Sequence, residues 1–299
     1  MRPWLEYAPV WLLVRIFGVL PRALARAGGT ALGRCVYWLH PRLRRVGQRN
    51  LEFAFPEKSA GERRRILKSL FTTLGRQLAD FCRAPRYTRE NISELVVHEN
   101  LEHYLEARAR GRGVLFITAH LGGWELGALA HSLYGYPLRV VMRPLDNPHL
   151  DRLLQRYRGL GGNTAFGKQD FARGLLAAMK AGETVGILMD TNMTPPQGVF
   201  VPFLGRAACT ASGLARVALR TGAAVVPGFT VWDEEAGKYR IAFEPALELV
   251  RSGRDEEDVV ANTALFTIVI EKYVRRYPGQ WLWVHRRWKT RPEGEAPLY

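Results

Sequence analysis

From about Gly113 onward, short apolar runs alternate with stretches of helical periodicity, and this alternation sets the fold class. Val114–Ala119 (VLFITA) is a continuous apolar run of strand length, suited to a strand covered on both faces. Helical spacing follows over Trp124–Leu133, then a strand pattern over Leu138–Met142 and a helix over Pro148–Arg158. Phe171–Lys180 reads as a helix, Val185–Met189 as a strand, Ser212–Arg220 as a helix and Ala223–Val231 as a strand. Tyr239–Phe243 reads as an additional edge strand, and Glu256–Tyr277 as a long closing helix. The pattern predicts an α/β fold, a mostly parallel central sheet flanked by helices, with its ligand site beyond the carboxyl ends of the strands.

The N-terminal part is patterned differently. Trp4–Leu20 is largely apolar, but Glu6 and Arg15 interrupt it and Pro9 and Pro21 bracket its best stretch. It falls short of the roughly 20 apolar residues that span a bilayer, and no small-residue cleavage site follows it. A helix lying in a membrane surface is expected, with Arg22, Arg26 and Arg34 behind it to meet lipid phosphates. A buried core helix is the alternative. A basic helical stretch over Arg42–Phe55 ends at Pro56. Ser59 and Glu62 then form a capping-box pattern, ahead of a stripe of Ile66, Leu70, Phe71, Leu74, Leu78 and Phe81 read as core. Residues 1–85 are thus expected to be a helical membrane-associating region and 86–299 an α/β domain, with no linker or internal repeat.

Composition narrows the partners. The 299 residues are 47% hydrophobic and 24% charged, enough to build a core without disulfides or metals. Cys35, Cys82 and Cys209 are dispersed and odd in number, which argues against a disulfide framework or a zinc cluster and for a reducing compartment. The net charge of +15, carried mainly by arginine, implies an acidic partner. Nucleic acid, anionic phospholipid and a phosphorylated glycolipid all present phosphates that arginine grips bidentately. No zinc finger, ribonucleoprotein element or basic zipper supports nucleic acid.

The candidate chemistry lies where the first buried strand ends, in Thr118-Ala119-His120-Leu121-Gly122-Gly123-Trp124-Glu125. Residues five apart on one helix lie about 140° around its axis from each other, but the two glycines allow a turn. That turn would put His120 at the strand end and Glu125 in the first helical turn, within reach of an imidazole nitrogen. A His–carboxylate pair there could take a proton from a bound alcohol, with the amides around Gly122 and Gly123 stabilising oxyanion charge. Against this stands the ordinary structural histidine at a strand end. No second histidine or cysteine stands at metal-ligand spacing, and HExxH and Gly-x-Ser-x-Gly are both absent. Cys209 has no nearby base to make it a nucleophile, and the other histidines have no comparable setting.

The ordered blocks AHLGGWE, Arg143-Pro144, Asn147-Pro148, Asp190, GVFVPFLGR (Gly198–Arg206), AAVVPGF (Ala223–Phe229) and QWLWVHRRWK (Gln280–Lys289) resemble the bacterial lipid A biosynthesis late acyltransferases. These belong to the wider lysophospholipid acyltransferase superfamily. The resemblance covers nearly the whole chain, including Asn50-Leu51 and Phe55-Pro56-Glu57. It implies transfer of a fatty acyl chain from acyl carrier protein to a hydroxyl of a phosphorylated glycolipid, a lipid A precursor. The setting would be the cytoplasmic side of the inner membrane, on anionic phospholipid, with no cofactor, metal or nucleic acid. His120 and Glu125 match the family's His-x4-acid motif. Glu125 replaces the Asp usual in the glycerolipid branch, and Met189-Asp190-Thr191 stands where that branch's Glu-Gly-Thr block would be sought, which disfavours a glycerol-phosphate acceptor. Arg143, Arg158 and Asp190 are expected to contact substrate or position the dyad, and Phe200, Pro202 and Phe203 to line an acyl route. Trp281, Trp283 and Trp288 with Arg286, Arg287 and Lys289 suit an interfacial surface or a cap on the core. The rival functions are acyl transfer to another glycolipid or phospholipid, and non-catalytic binding of membrane or nucleic acid.

Overall fold

The structure is a computed structural model that describes residues 2–142, 144–167 and 171–299. Four helices come first: α1 (Arg2–Val19), α2 (Arg22–Leu39), α3 (Pro41–Ala54) and α4 (Ala60–Cys82). Helix α4 starts where the sequence marks it. Ser59 accepts from the Glu62 amide, and the Glu62 carboxylate accepts from the Ser59 amide.

The α/β portion then runs β1 (Val96–Glu99), α5 (Leu101–Ala109), β2 (Val114–Thr118), α6 (Trp124–Leu133), β3 (Arg139–Met142), α7 (Pro148–Arg158) and β4 (Thr164–Gly167). It continues with α8 (Phe171–Lys180), β5 (Thr184–Leu188), a hairpin of β6 (Gly198–Phe203) and β7 (Arg206–Ala211), α9 (Gly213–Thr221), β8 (Ala224–Asp233), β9 (Lys238–Phe243) and α10 (Asp255–Arg276). Among the described residues the main sheet has seven strands in the order β1-β9-β8-β2-β5-β3-β4, parallel throughout except where β8 meets β9. This is the expected α/β class with a mostly parallel, helix-flanked sheet. Strand β2 is covered on both sides. Leu115 and Ile117 belong to a core with α8, α9 and α10, while Val114 and Phe116 face the core beneath α5 and α6.

Tyr239–Phe243 is a strand, but it is not an edge. Strand β1 pairs on its outer side, Val96 opposite Tyr239 and Glu99 opposite Ala242. Both edges of the described sheet, β1 (VVHE) and β4 (TAFG), are four residues long and carry no sustained apolar run.

Small residues let α2 cross α4 closely. A Cβ added at Gly29 would overlap the Gly75 carbonyl oxygen, and one at Gly75 would overlap that of Gly29. Arg26 points inward from α2 and pairs with the buried Asp80 of α4 at 2.8 Å, with Arg22 beside it. These two arginines therefore face a protein carboxylate, whereas Arg34 is exposed.

The C-terminal tryptophans are core. Trp281, Trp283, Trp288 and Arg287 are all 0% exposed, so of the two readings the cap holds and the interfacial surface does not. Arg287 donates to the carbonyls of Thr191 and Cys209, which makes its burial tolerable. Phe203 packs against Trp281 and Trp288 in that core. Among the described residues, no helix is long and apolar enough to cross a membrane.

Candidate active site

The register of two neighbouring parallel strands builds the site. Thr118 of β2 lies opposite Leu188 of β5, so the residues two further along each chain, His120 and Asp190, emerge side by side. His120 Nδ1 is 2.8 Å from Asp190 Oδ1, and the His120 amide donates to Oδ2 at 2.8 Å. Trp281 Nε1 donates to that same Oδ2 at 2.8 Å. The Asp190 side chain is 2% exposed and that of His120 21%. Burial disfavours the imidazolium, but the charge and hydrogen bond of Asp190, helped by the Glu125 charge, outweigh it and raise the His120 pKa. Burial likewise opposes the Asp190 carboxylate, yet His120 and Trp281 hold its pKa below the usual value.

Glu125 sits in the first turn of α6 and turns toward α7. There Arg158 Nε donates to Oε2 at 2.8 Å and Nη2 pairs with Oε1. Among the described residues Glu125 makes no hydrogen bond to His120, so the expected direct His120–Glu125 pairing is corrected: the carboxylate on the ring is Asp190. The glycine turn does bring Glu125 close enough for its charge to act on the imidazole. Strand register, however, delivers Asp190 to Nδ1 first.

That turn is pinned from both sides. Gly122 has φ +57° and lies against the Thr230 carbonyl, where any side chain would collide. Its amide donates to the Gln280 carbonyl at 3.0 Å, and the Gly123 amide donates to Thr230 at 2.8 Å. The Leu282 amide donates to the His120 carbonyl at 3.0 Å. Both glycine amides are therefore spent on holding the loop, which corrects the expectation that they receive an oxyanion.

An apolar cavity of about 390 Å³ opens beside this turn. It reaches from Gly123, Trp124 and Glu125 between α1 (Val10, Val14), α4 (Leu74, Phe81) and α7 (Leu153, Tyr157). Phe200, Pro202 and Phe203 do not line it; β6 lies in the hairpin with β7, and Phe203 is core.

The sequence of residues 2–290 matches the family model described as bacterial lipid A biosynthesis acyltransferase. A lipid A biosynthesis lauroyltransferase of Escherichia coli K12 is 31% identical over 99% of this chain and 94% of its own length. A palmitoleoyltransferase of the same strain is 28% identical over the same shares. A myristoyltransferase is 25% identical over 90% of this chain and 82% of its own. The chain belongs to the bacterial lipid A biosynthesis acyltransferase family.

For a lipid A acyltransferase of this family, the remaining expectations resolve as follows. Arg158 pairs with Glu125, which lines the cavity, Asp190 holds His120 by Nδ1, and Arg143 lies outside the described residues. His285, which the sequence did not single out, accepts from the Asn192 backbone amide at 3.0 Å, and burial lowers its pKa. Its only sequence signal is the block QWLWVHRRWK. Cys209 is buried, and desolvation pushes its thiol pKa up, away from nucleophilic use. Among the described residues no three His, Cys, Asp or Glu side chains are grouped to hold a metal.

Proposed function

We propose that this acyltransferase moves a fatty acyl chain from the thioester of acyl carrier protein to a hydroxyl of a lipid A precursor, with His120 as general base. One observation carries the reading. The imidazole is fixed through Nδ1 by a buried carboxylate, while Nε2 has no partner among the described residues, and Trp124, whose ring lies 5.3 Å from the imidazole, lines the apolar cavity. The acceptor hydroxyl gives its proton to Nε2 as its oxygen adds to the thioester carbonyl carbon. The tetrahedral intermediate collapses, the C–S bond breaks, and the leaving thiolate takes the proton back from the imidazolium. Asp190 holds the tautomer that leaves Nε2 free, and Glu125 adds negative charge that favours the imidazolium as it forms. The acyl chain occupies the cavity, where each buried methylene contributes about 0.8 kcal/mol. No metal or cofactor is required. The enzyme works at the cytoplasmic face of the inner membrane on anionic phospholipid, which its charge of +15 favours.

The test is acyl transfer from lauroyl-acyl carrier protein to a lipid A precursor by purified protein. His120→Ala is expected to lower turnover by about 10²- to 10⁴-fold with an unchanged melting temperature. Full activity in that variant would overturn the mechanism.

A further inference from the structure

With both glycine amides committed, the oxyanion of the tetrahedral intermediate needs donors from elsewhere, and among the described residues Gln77 offers the cavity wall a shielded side-chain N–H with no partner. Gln77 lies on the apolar stripe of α4, three residues after Leu74 and four before Phe81, and like them it lines the cavity. It is a polar interruption of a hydrocarbon surface. Among the described residues its amide makes no hydrogen bond, and Nε2 is shielded from solvent with no partner.

Its place along α4 is fixed by its neighbours. One turn earlier, Thr73 reaches the Gly279 carbonyl beside the segment that pins Gly122. One turn later, Asp80 accepts from the Tyr239 hydroxyl, whose ring packs against Gly123. Gln77 lies between them, at the end of the cavity that meets the α6 turn and Glu125.

A buried amide without a partner costs stability, so its presence in an apolar wall calls for a ligand oxygen. The alkyl chain of a thioester has none to offer; its carbonyl has one, and that carbonyl must lie at the same end of the cavity as His120. We propose that the Gln77 side-chain amide donates a hydrogen bond to the acyl carbonyl oxygen of the donor thioester. As the acceptor oxygen adds to the carbonyl carbon, the carbonyl π pair moves onto this oxygen and the bond strengthens. When the pair returns, the C–S bond breaks and the thiolate leaves with the proton held by His120. The terminal amide torsion of glutamine is broad and roughly two-fold, so with no protein partner to hold it the group turns its N–H to the ligand.

The inference rests on the proposed acyl transfer, and the experiment separates the two. Wild type, Gln77→Leu and Gln77→Met are compared in steady state with lauroyl-acyl carrier protein and a lipid A precursor, alongside thermal melting. Absence of transfer by wild type would sink both readings. With wild type active, Gln77→Leu and Gln77→Met are expected to lower kcat about a hundredfold, the scale of one oxyanion donor. The KM for the donor should stay nearly constant and the melting temperature equal or higher, since an unpaired amide has been removed. Loss of activity that tracks a lower melting temperature would mark Gln77 as structural, and kcat within twofold of wild type in either variant would overturn the proposal.

Discussion

A histidine acting as base must be neutral, so in the proposed mechanism the Asp190 contact that orients His120 also sets the pH at which it works. Because the carboxylate raises the imidazole pKa, kcat/KM of wild type should climb with pH through a midpoint above the ordinary histidine value of about 6.5. In Asp190→Asn the raising influence is lost and burial, which favours neutral imidazole, prevails. The midpoint should move to lower pH, while the plateau falls by about 10²- to 10⁴-fold because the tautomer is no longer enforced. A rate profile between about pH 5 and 9 reads both effects, and an unmoved midpoint would show that Asp190 does not tune the base. Of these side chains the sequence exposes His120 readily, as the polar residue ending a buried strand, and Glu125 by its distance across two glycines. Asp190 is legible as a strand-end acid, but its pairing with His120 is not. The two are 70 positions apart, and only the β2–β5 register joins them. Gln77 carries a weaker signal, a polar residue breaking an apolar stripe, which periodicity alone assigns to the core.

At the scale of elements, long periodic segments were legible to within a residue or two, because burial on one side imposes a period over several turns. Helix α6, α7 and α8 begin and end where the pattern places them. The edge strands β1 and β4 and helix α5 were not legible: the strands read VVHE and TAFG, without the apolar run that marks the equally short β3, and α5 buries only Tyr104 and Ala107, too few to set a period. Nor does sequence say which way a tryptophan-rich and arginine-rich tail will face; here Arg287 finds buried carbonyl acceptors and turns inward with the three tryptophans, while Arg286 and Lys289 stay exposed. The α2–α4 crossing depends on backbone contact at Gly29 and Gly75, which a side chain would separate. Gly75→Val should therefore destabilise by about 1–3 kcal/mol or more through overpacking, lowering the melting temperature by several degrees. Gly61→Ala, in the exposed first turn of α4, should leave it unchanged or slightly higher. Equal melting of Gly75→Val and wild type would mean that the two helices separate without cost.

Over the whole molecule, exposed apolar surface gathers on α1. This helix turns Val14 and Phe17 inward and leaves Leu5, Leu12, Ile16 and Val19 exposed, Leu5 at 74%. Their spacing of seven, four and three residues puts them on one outward stripe. A contiguous apolar face of this kind is rare on a soluble monomer surface, and the apolar cavity lies just behind it, sharing Val10 and Val14. A membrane seated on that stripe would bring lipid-borne acceptor to the mouth of the cavity. Replacing Leu5 and Leu12 together by Glu should weaken binding to phosphatidylglycerol-containing vesicles by about a hundredfold or more, since burying each leucine is worth about 1.5–3 kcal/mol. Melting should not change, because neither side chain is packed in the fold. Raised salt should weaken the wild type's attachment to anionic vesicles through its net charge of +15 and leave its attachment to neutral ones nearly constant. Co-sedimentation over a salt series measures both contributions, and unchanged binding by the double variant would place the membrane-facing surface elsewhere than on α1.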